Sequence, residues 1–443
     1  MLVRDRDAPP LDLAALASAL VDRKTGAIAR LDVLPRTGDQ LRFAHVLARL
    51  PDLERLPSGG AIADPCGGRQ TLAAAVRQVL LECVERSCAA FTNHRALVLA
   101  QPTADGAFLD GARLPLFSAA QYAAPGFPFR PLTPASRIWW VEGRSLVTGR
   151  PVFVPAALAF IPYRSTREDE WLGPGTSTGM ACDRTWIRAV VNGLLEIIER
   201  DAFAITWLNR LSRPRLTVSP DSPLGRELAH VAARHHGKVA FVDITSDIAV
   251  PTVLAVFDAR VRGERVVTVG AACRPHRVEA ARKALAEAVC DHLRIRDELD
   301  GGERFQPAPD FANVTEWRWH SVVYLDPALT PQLDFLTASP DAVPIDGAPG
   351  ERRDDDAPLL AWLVGELARR GEDVVAVGLT TRDAAALGLH AVKVFVPGAV
   401  PLPPDHRYQP LGHRRIYEVP VRLGWRVREL GPADLNPYPH PFA

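Results

Sequence analysis

Two short stretches carry residues that could do chemistry. One is Glu196, Glu199 and Arg200 within RAVVNGLLEIIERDAF, residues 188–203. The other is Glu82, Glu85 and Arg86 within LLECVERS, residues 80–87. Residues three apart on a helix share a face, so each stretch presents two carboxylates side by side. Taken alone, either stretch reads as a solvated face with a Glu–Arg pair at i,i+4. Leu194, Leu195, Ile197 and Ile198 crowd the later pair, however, and acids in so apolar a segment are costly unless positive charge meets them. Shifted by 114 positions, Leu80, Leu81, Glu82, Glu85 and Arg86 fall on Leu194, Leu195, Glu196, Glu199 and Arg200, the mark of a repeated unit. A third helical segment, RKALAEAVCDHLR at 282–294, adds Glu287. Four acids on two helices suit hard divalent cations, Mg²⁺ above all. Mg²⁺ held by carboxylates completes its shell with waters and phosphates, which makes a nucleoside triphosphate the first candidate ligand.

The rest of the chain must position those helices. Its 443 residues make one large or two medium domains, and 47% hydrophobic against 23% charged content is ordinary for a globular protein with a sizeable core. A formal net charge of zero argues against nucleic acid or an anionic membrane as partner. No apolar run approaches the ~20 residues of a membrane span, and MLVRDRDAPPLDL lacks the apolar core of a signal peptide, so a cytoplasmic protein is expected. The six cysteines form no CxxC pair and read as reduced core thiols.

Strand patterns at 27–34 and 41–47 precede DPCGGRQT (64–71), which reads as a glycine turn into a helix at 72–90. Strands are expected at 97–100, 138–142 and 151–155, with Trp139 and Trp140 as packing residues. A second glycine-rich approach, GPGTSTGMACD, leads into the later paired-acid helix. Three strong strands follow at 239–244, 252–257 and 265–271, then a helix from 278 to about 299. The charge run RRDDD (352–356) reads as solvated surface. A helix at 356–370 and strands at 373–379 and 390–396 complete the pattern, which predicts an α/β or α+β layered fold built on repeated strand, glycine-turn, helix units. The last stretch, PADLNPYPHPFA, is stiffened by alternating prolines. It reads either as a disordered tail or as a rigid holder of the terminal carboxylate.

Several of these stretches resemble the YcaO family. TSTGMACDRTWIRAVVNGLLEIIERDAF is similar to that family's signature, GGRQTLAAAVRQVLLECVER to its first paired-acid helix, and VPTVLAVFDAR with EAARKALAEAVCDHLR to its third region. HRYQPLGHRRIYEVPVRLGW and PYPHPFA look like the azoline-forming branch. The resemblance implies a YcaO-type fold, with an N-terminal part at 1–60, an ATP- and Mg²⁺-binding core at 61–400 and a C-terminal segment at 401–443. It implies that Cys, Ser or Thr residues of a ribosomally made precursor peptide are closed onto the preceding amide, ATP phosphorylating the amide oxygen so that it leaves as phosphate. Thiazoline or oxazoline rings result. By the same resemblance, Glu82, Glu85, Glu196, Glu199 and Glu287 hold metal. Arg69, Arg86, Ser177 and Arg200 serve the nucleotide. Pro437, Pro439 and Pro441 steer the Ala443 carboxylate into the site for proton transfer. A separate leader-peptide-binding partner is expected, and a homodimer is compatible with the sequence.

The chain departs from the family pattern at Asp183, Arg184 and Arg188, which stand where a small residue, an Asn and a helix-starting Glu are usual. Cys290 replaces a Gln and Gln78 a Ser. Two alternatives follow: a non-catalytic scaffold or peptide-binding subunit of a peptide-modifying complex, or a YcaO-type thioamide- or amidine-forming enzyme.

Overall fold

The computed structural model describes residues 11–34, 44–51, 66–69, 71–103, 107–114, 116–235, 237–300, 304–346 and 355–442. In chain order the first third holds α1 (Leu13–Leu20), β1 (Arg30–Leu34), β2 (Ala44–Arg49), β3 (Cys66–Arg69), α2 (Leu72–Ala90), β4 (Val98–Ala100), α3 (Ala119–Ala123), β5 (Ile138–Ser145), β6 (Pro151–Pro155) and α4 (Ala156–Ala159). Next come β7 (Met180–Asp183), α5 (Trp186–Leu208), β8 (Arg215–Thr217), α6 (Pro223–His235), β9 (Lys238–Asp243), β10 (Thr252–Val261), β11 (Glu264–Cys273) and α7 (Arg277–Asp300). The chain ends with α8 (Trp317–Val322), β12 (Ala342–Pro344), α9 (Asp356–Ala368), β13 (Val375–Gly378), α10 (Arg382–Ala386), β14 (His390–Phe395) and α11 (Arg415–Arg422).

The strands form three sheets, ordered β1-β2-β3, β11-β10-β9-β8-β12 and β4-β5-β13-β14-β7, with β6 added on β5. Their pairings are antiparallel except β12 on β8. This mixture of helices and sheets is the expected fold class. β10, TVLAVFDARV, is apolar almost throughout because α5 and α7 both pack on it and leave little of the strand to water. α5 is likewise buried nearly all round, the mark of a helix enclosed by protein. It lies between β7 and β14 of one sheet and β10 and β11 of another, while α2 covers β2, β3 and β7.

The repeat reaches further than the acid pairs. At the same 114-residue offset, Cys66–Arg69 matches Met180–Asp183, and each strand runs into its helix through a threonine cap. Thr71 Oγ1 accepts from Ala74 N–H and Thr185 Oγ1 from Arg188 N–H. The expected glycine turn at 64–71 is therefore corrected: residues 66–69 are a strand pairing with β2, and the two glycines lie within it. Glycine is poor in a strand interior but tolerated on an edge strand, where pairing with β2 fixes the backbone. The reading of RRDDD as solvated also fails at Asp356, which is buried and receives Arg188 Nη1 at 2.5 Å; residues 352–354 lie outside the described part.

One buried ionic network joins α5 to the C-terminal segment. Asp201, fully buried, accepts Arg415 Nε at 2.8 Å and Nη2 at 2.6 Å, and the backbone N–H of Val400 at 3.0 Å. Arg415 turns its remaining donors to Asp247, which also takes Arg370 and Arg422. These cations hold the Asp247 carboxyl below its ordinary range despite burial. Removing one partner of such a network strands the other charge, at about 3–5 kcal/mol. Asp201→Ala should therefore lose about 3–5 kcal/mol in urea denaturation; a loss under about 1 kcal/mol would show that α11 does not depend on this contact.

Candidate active site

α2, α5 and α7 bring the predicted acids to one region, but not around one point. Acids and cations alternate instead. Arg86 lies 3.2 Å from Glu82 and 3.3 Å from Glu85. Arg200 lies 4.0 Å from Glu196 and 3.6 Å from Glu199. Lys283 lies 3.4 Å from Glu199 and 2.6 Å from Glu287. Between the two halves sits Lys393 of β14, whose ammonium feels both Glu85 and Glu196. The row thus runs Glu82, Arg86, Glu85, Lys393, Glu196, Arg200, Glu199, Lys283, Glu287. Among the described residues no three His, Cys, Asp or Glu side chains converge as a preformed metal cluster.

Burial makes the row electrostatically tense. Desolvation, with help from Glu82 and Glu196 and against Arg86, pushes the Glu85 carboxyl from its ordinary 4.5 up to about 8. Desolvation also raises Glu199, whose side chain is 2% exposed, against the pull of Lys283 and Arg200. Burial lowers Lys393 to about 8. Lys393 is 3% exposed, and its ammonium donates to the carbonyls of Thr176 at 2.6 Å and Thr178 at 2.9 Å. Strand β14 thereby pins the glycine-rich loop. Gly179 takes φ +83°, and a Cβ there would strike Val394 O at 2.4 Å; a Cβ on Gly193 would strike Gly179 O at 2.6 Å. Only this close approach lets Gly179 N–H donate to Glu196 Oε2 at 3.0 Å.

The remaining expectations sort themselves around the row. Ser177 lies in the loop that Lys393 holds, its carbonyl accepting from Met180 N–H. Arg69 lies on β3, which packs against α7. Pro437 is exposed, whereas Pro439 and Pro441 are buried. The tail is docked, not loose: Trp207 Nε1 donates to Tyr438 O at 3.1 Å, Tyr324 Oη donates to Pro439 O, and His440 Nε2 lies 3.0 Å from Pro403 O. Phe442 packs on Phe203, and the Arg200 guanidinium stands 4.9 Å over the Phe442 ring. Ala443 lies outside the described residues. The departures are accommodated locally. Asp183 accepts Arg77 at 2.8 Å and Asn192 at 3.2 Å, Arg188 is drawn to Asp356, and Cys290 is half-buried on α7. Lys283 and Lys393 are site residues the motif reading missed. Lys283 had a signal, since it stands four residues before Glu287 on one helix face.

Comparison with known proteins follows the same lines. The family model described as YcaO cyclodehydratase, ATP- and Mg²⁺-binding, matches residues 66–400. The chain belongs to the YcaO family. An uncharacterized protein in the tfuA 3′ region of Rhizobium leguminosarum bv. trifolii is 32% identical over 167 residues, 35% of this chain and 39% of that one. An uncharacterized protein of Methanothermobacter thermautotrophicus is 30% identical over 139 residues, 30% of this chain and 36% of that one. The matches therefore span under two fifths of either curated relative. Among solved structures, a heterocyclase in complex with substrate and cofactor superposes with TM-score 0.79 at 22% identity, covering 99% of this chain and 58% of that one. YcaO from Methanopyrus kandleri, bound with AMPPCP and Mg²⁺, gives 0.64 at 23% identity, covering 88% and 90%. The E. coli microcin synthetase McbBCD complex gives 0.58 at 15%, covering 86% and 90%. These likenesses establish the fold.

The donor set fits the pair of ligands named by the family model. Carboxylate oxygens suit Mg²⁺, and interleaved cations suit phosphates. Arg200 adds a specific sign: its Nε and Nη1 are buried without a hydrogen-bond partner among the described residues. An acid whose folded pKa is raised leaves the fold most stable below its unfolded pKa and weakens it as pH climbs to the folded value. Glu85 therefore lowers stability between about pH 4.5 and 8. Lys393, depressed to about 8, adds slope only above that pH. In Glu85→Gln, the fall in stability from pH 5 to 8 should shrink by up to about 1.4 kcal/mol per pH unit. An unchanged slope in denaturation across that range would mean that Glu85 ionises freely.

Proposed function

We propose that the chain is an ATP-dependent peptide cyclodehydratase, closing Cys, Ser or Thr residues of a ribosomally made precursor into thiazoline or oxazoline rings. The observation that carries this reading is the alternating row of carboxylates and cations where α2, α5 and α7 meet. Such a row holds a metal–phosphate ligand better than either ion alone, because each charge finds a complement. Glu82, Glu85, Glu196, Glu199 and Glu287 would hold Mg²⁺, and Arg86, Arg200, Lys283 and Lys393 would face phosphate oxygens. Bound Mg²⁺ would supply neutralisation of charge on the phosphoryl group.

The chemistry is a dehydration made possible by a better leaving group. The side-chain sulfur or oxygen of the substrate bonds to the preceding carbonyl carbon and gives up its proton. The former carbonyl oxygen takes the terminal phosphoryl group of ATP. The C–O bond then breaks, phosphate departs with the bonding electrons, and the former amide nitrogen loses its proton to form the C=N bond. The peptide has lost one water per ring. The docked tail supports a role for the Ala443 carboxylate as a proton acceptor, since Phe442 already rests on Arg200 beside the acid pair. A peptide substrate and a separate leader-binding protein are the expected partners, a reading supported by the fold shared with a heterocyclase–substrate complex and with McbBCD.

One observation favours a second reading. Arg188, where the family usually places a metal-binding acid, is turned to Asp356, so this chain offers one carboxylate fewer at the start of α5. A non-catalytic scaffold would follow if the remaining acids cannot hold the nucleotide. Mass spectrometry of precursor incubated with ATP, Mg²⁺ and the partner separates the two. The wild-type chain should remove one water per ring, while Glu196→Gln and a chain lacking residues 437–443 should each lose at least about a hundredfold in rate. Full turnover by both variants would sink the mechanism; no water loss by the wild type, with Mg·ATP binding absent, would establish the scaffold.

A further inference from the structure

Residues 436–442 are held by their backbone. Pro437, Pro439 and Pro441 carry no N–H, so this stretch presents more carbonyls than donors. Three consecutive carbonyls each meet a side-chain donor group. Trp207 Nε1 donates to Tyr438 O at 3.1 Å, Tyr324 Oη donates to Pro439 O, and His320 Nδ1 lies 3.2 Å from His440 O. Trp207 comes from α5. His320 and Tyr324 stand four residues apart, on α8 and on the 3₁₀ turn that continues it, Val323–Leu325. The entrance is fixed as well. Asn436 N–H donates to Leu208 O at 2.7 Å and Asn436 Nδ2 to Trp207 O at 3.2 Å, which satisfies carbonyls left over at the end of α5.

His320 decides what this ladder can do. Both its ring nitrogens face carbonyls, Nδ1 that of His440 and Nε2 that of Pro404 at 3.0 Å, yet a neutral imidazole has one N–H. Burial holds the ring down at about 4, so it is neutral near pH 7. The two carbonyls are not equal. The His440 contact is buried, and His440 is 1% exposed; the Pro404 contact is only partly buried. An unmet carbonyl costs most where water cannot replace the donor, which puts the proton on Nδ1, toward the tail. The His440 ring stacks on His320 at 3.8 Å and 15°, and its Nε2 lies 3.0 Å from Pro403 O. Beyond the last held carbonyl, Phe442 packs on Phe203 beneath the Arg200 guanidinium.

We propose that His320, Tyr324 and Trp207 are positioning residues for the dehydration: by holding the carbonyls of residues 438–440 they fix where the terminal carboxylate stands beside the acid row. The assignment rests on the peptide-modifying reading above and adds to it the groups that aim the tail. None of the three touches phosphate or substrate. They act through the tail, whose prolines keep it extended so that a hold at residue 440 carries to the terminus.

The full chain is exposed to carboxypeptidase A, which removes Ala443 and Phe442 and halts at Pro441, and release is followed by mass spectrometry. Where the tail redocks faster than it is cut, the release rate follows the undocked fraction. Tyr324→Phe deletes one hydroxyl and keeps the ring. His320→Asn keeps a donor where Nδ1 stands, whereas His320→Gln moves the donor to where Nε2 stands. Tyr324→Phe and His320→Gln should each release Phe442 about tenfold faster than the wild type, the worth of one buried hydrogen bond, and His320→Asn should stay within about threefold of it. Tyr324→Phe carries the test alone if the His320 variants are unstable. Water loss from the precursor, with ATP, Mg²⁺ and the partner, is measured on the same samples. Its kcat should fall by about tenfold or more in Tyr324→Phe and His320→Gln, recover in His320→Asn, and leave KM for Mg·ATP within about twofold. Unchanged release in Tyr324→Phe, or equal acceleration in His320→Asn and His320→Gln, would overturn the ladder. Faster release with kcat unchanged would overturn the positioning role and leave the dehydration reading untouched. Ordered release with no water loss by the wild type would remove the dehydration reading, and the role with it, and leave a docked tail.

Discussion

The structure depends on holding five carboxylates together where three helices, α2, α5 and α7, meet. Water reaches Glu82, Glu196 and Glu287, whose side chains are 28%, 29% and 30% exposed, but burial strips hydration from Glu85 and Glu199, at 14% and 2%. The chain meets the demand with cations from four places: Arg86 on α2, Arg200 on α5, Lys283 on α7 and Lys393 on β14. Lys393 is the linchpin. It stands between Glu85 and Glu196 of the two repeated halves, and it also ties down the loop whose Gly179 N–H reaches Glu196. Burial displaces both groups toward about 8, Glu85 upward from 4.5 and Lys393 downward from 10.5.

A second charged core secures the surroundings of the first. Arg200 and Asp201 are neighbours on α5 but face different tasks. Arg200 leans over Phe442, and Asp201 anchors Arg415. Adjacent residues of one helix therefore hold both the tail, through Phe442, and the helix α11.

Much of this was legible from residue types alone. The bounds of the helix at 72–90 and the 114-residue repeat follow from apolar spacing and from acid pairs, which are local signals. The repeat even predicts its own strand and threonine cap once laid out in register. What was not legible is what needs a partner far away in the chain. Lys393 sits in AVKVFV, which reads as an ordinary buried strand with one polar residue. Its role appears only when β14 pairs with β7 and passes beneath the loop at 176–178. Asp356 looks solvated within a charge run until Arg188 arrives from 168 residues away. Residues 66–69 read as a turn because glycine is a turn signal, and only the pairing with β2 overrides it. The tail could not be placed because docking prolines and disordered prolines have one composition.

The central claim is that the alternating row is one site for a metal and a phosphate chain together. The most direct measurement is calorimetric titration of the wild-type chain with ATP, with and without Mg²⁺, repeated on Glu287→Gln. The account predicts saturable binding of Mg·ATP, at least about tenfold weaker binding when EDTA removes the metal, and a comparable loss in Glu287→Gln. Binding of ATP that is indifferent both to Mg²⁺ and to the Glu287 carboxylate would contradict it.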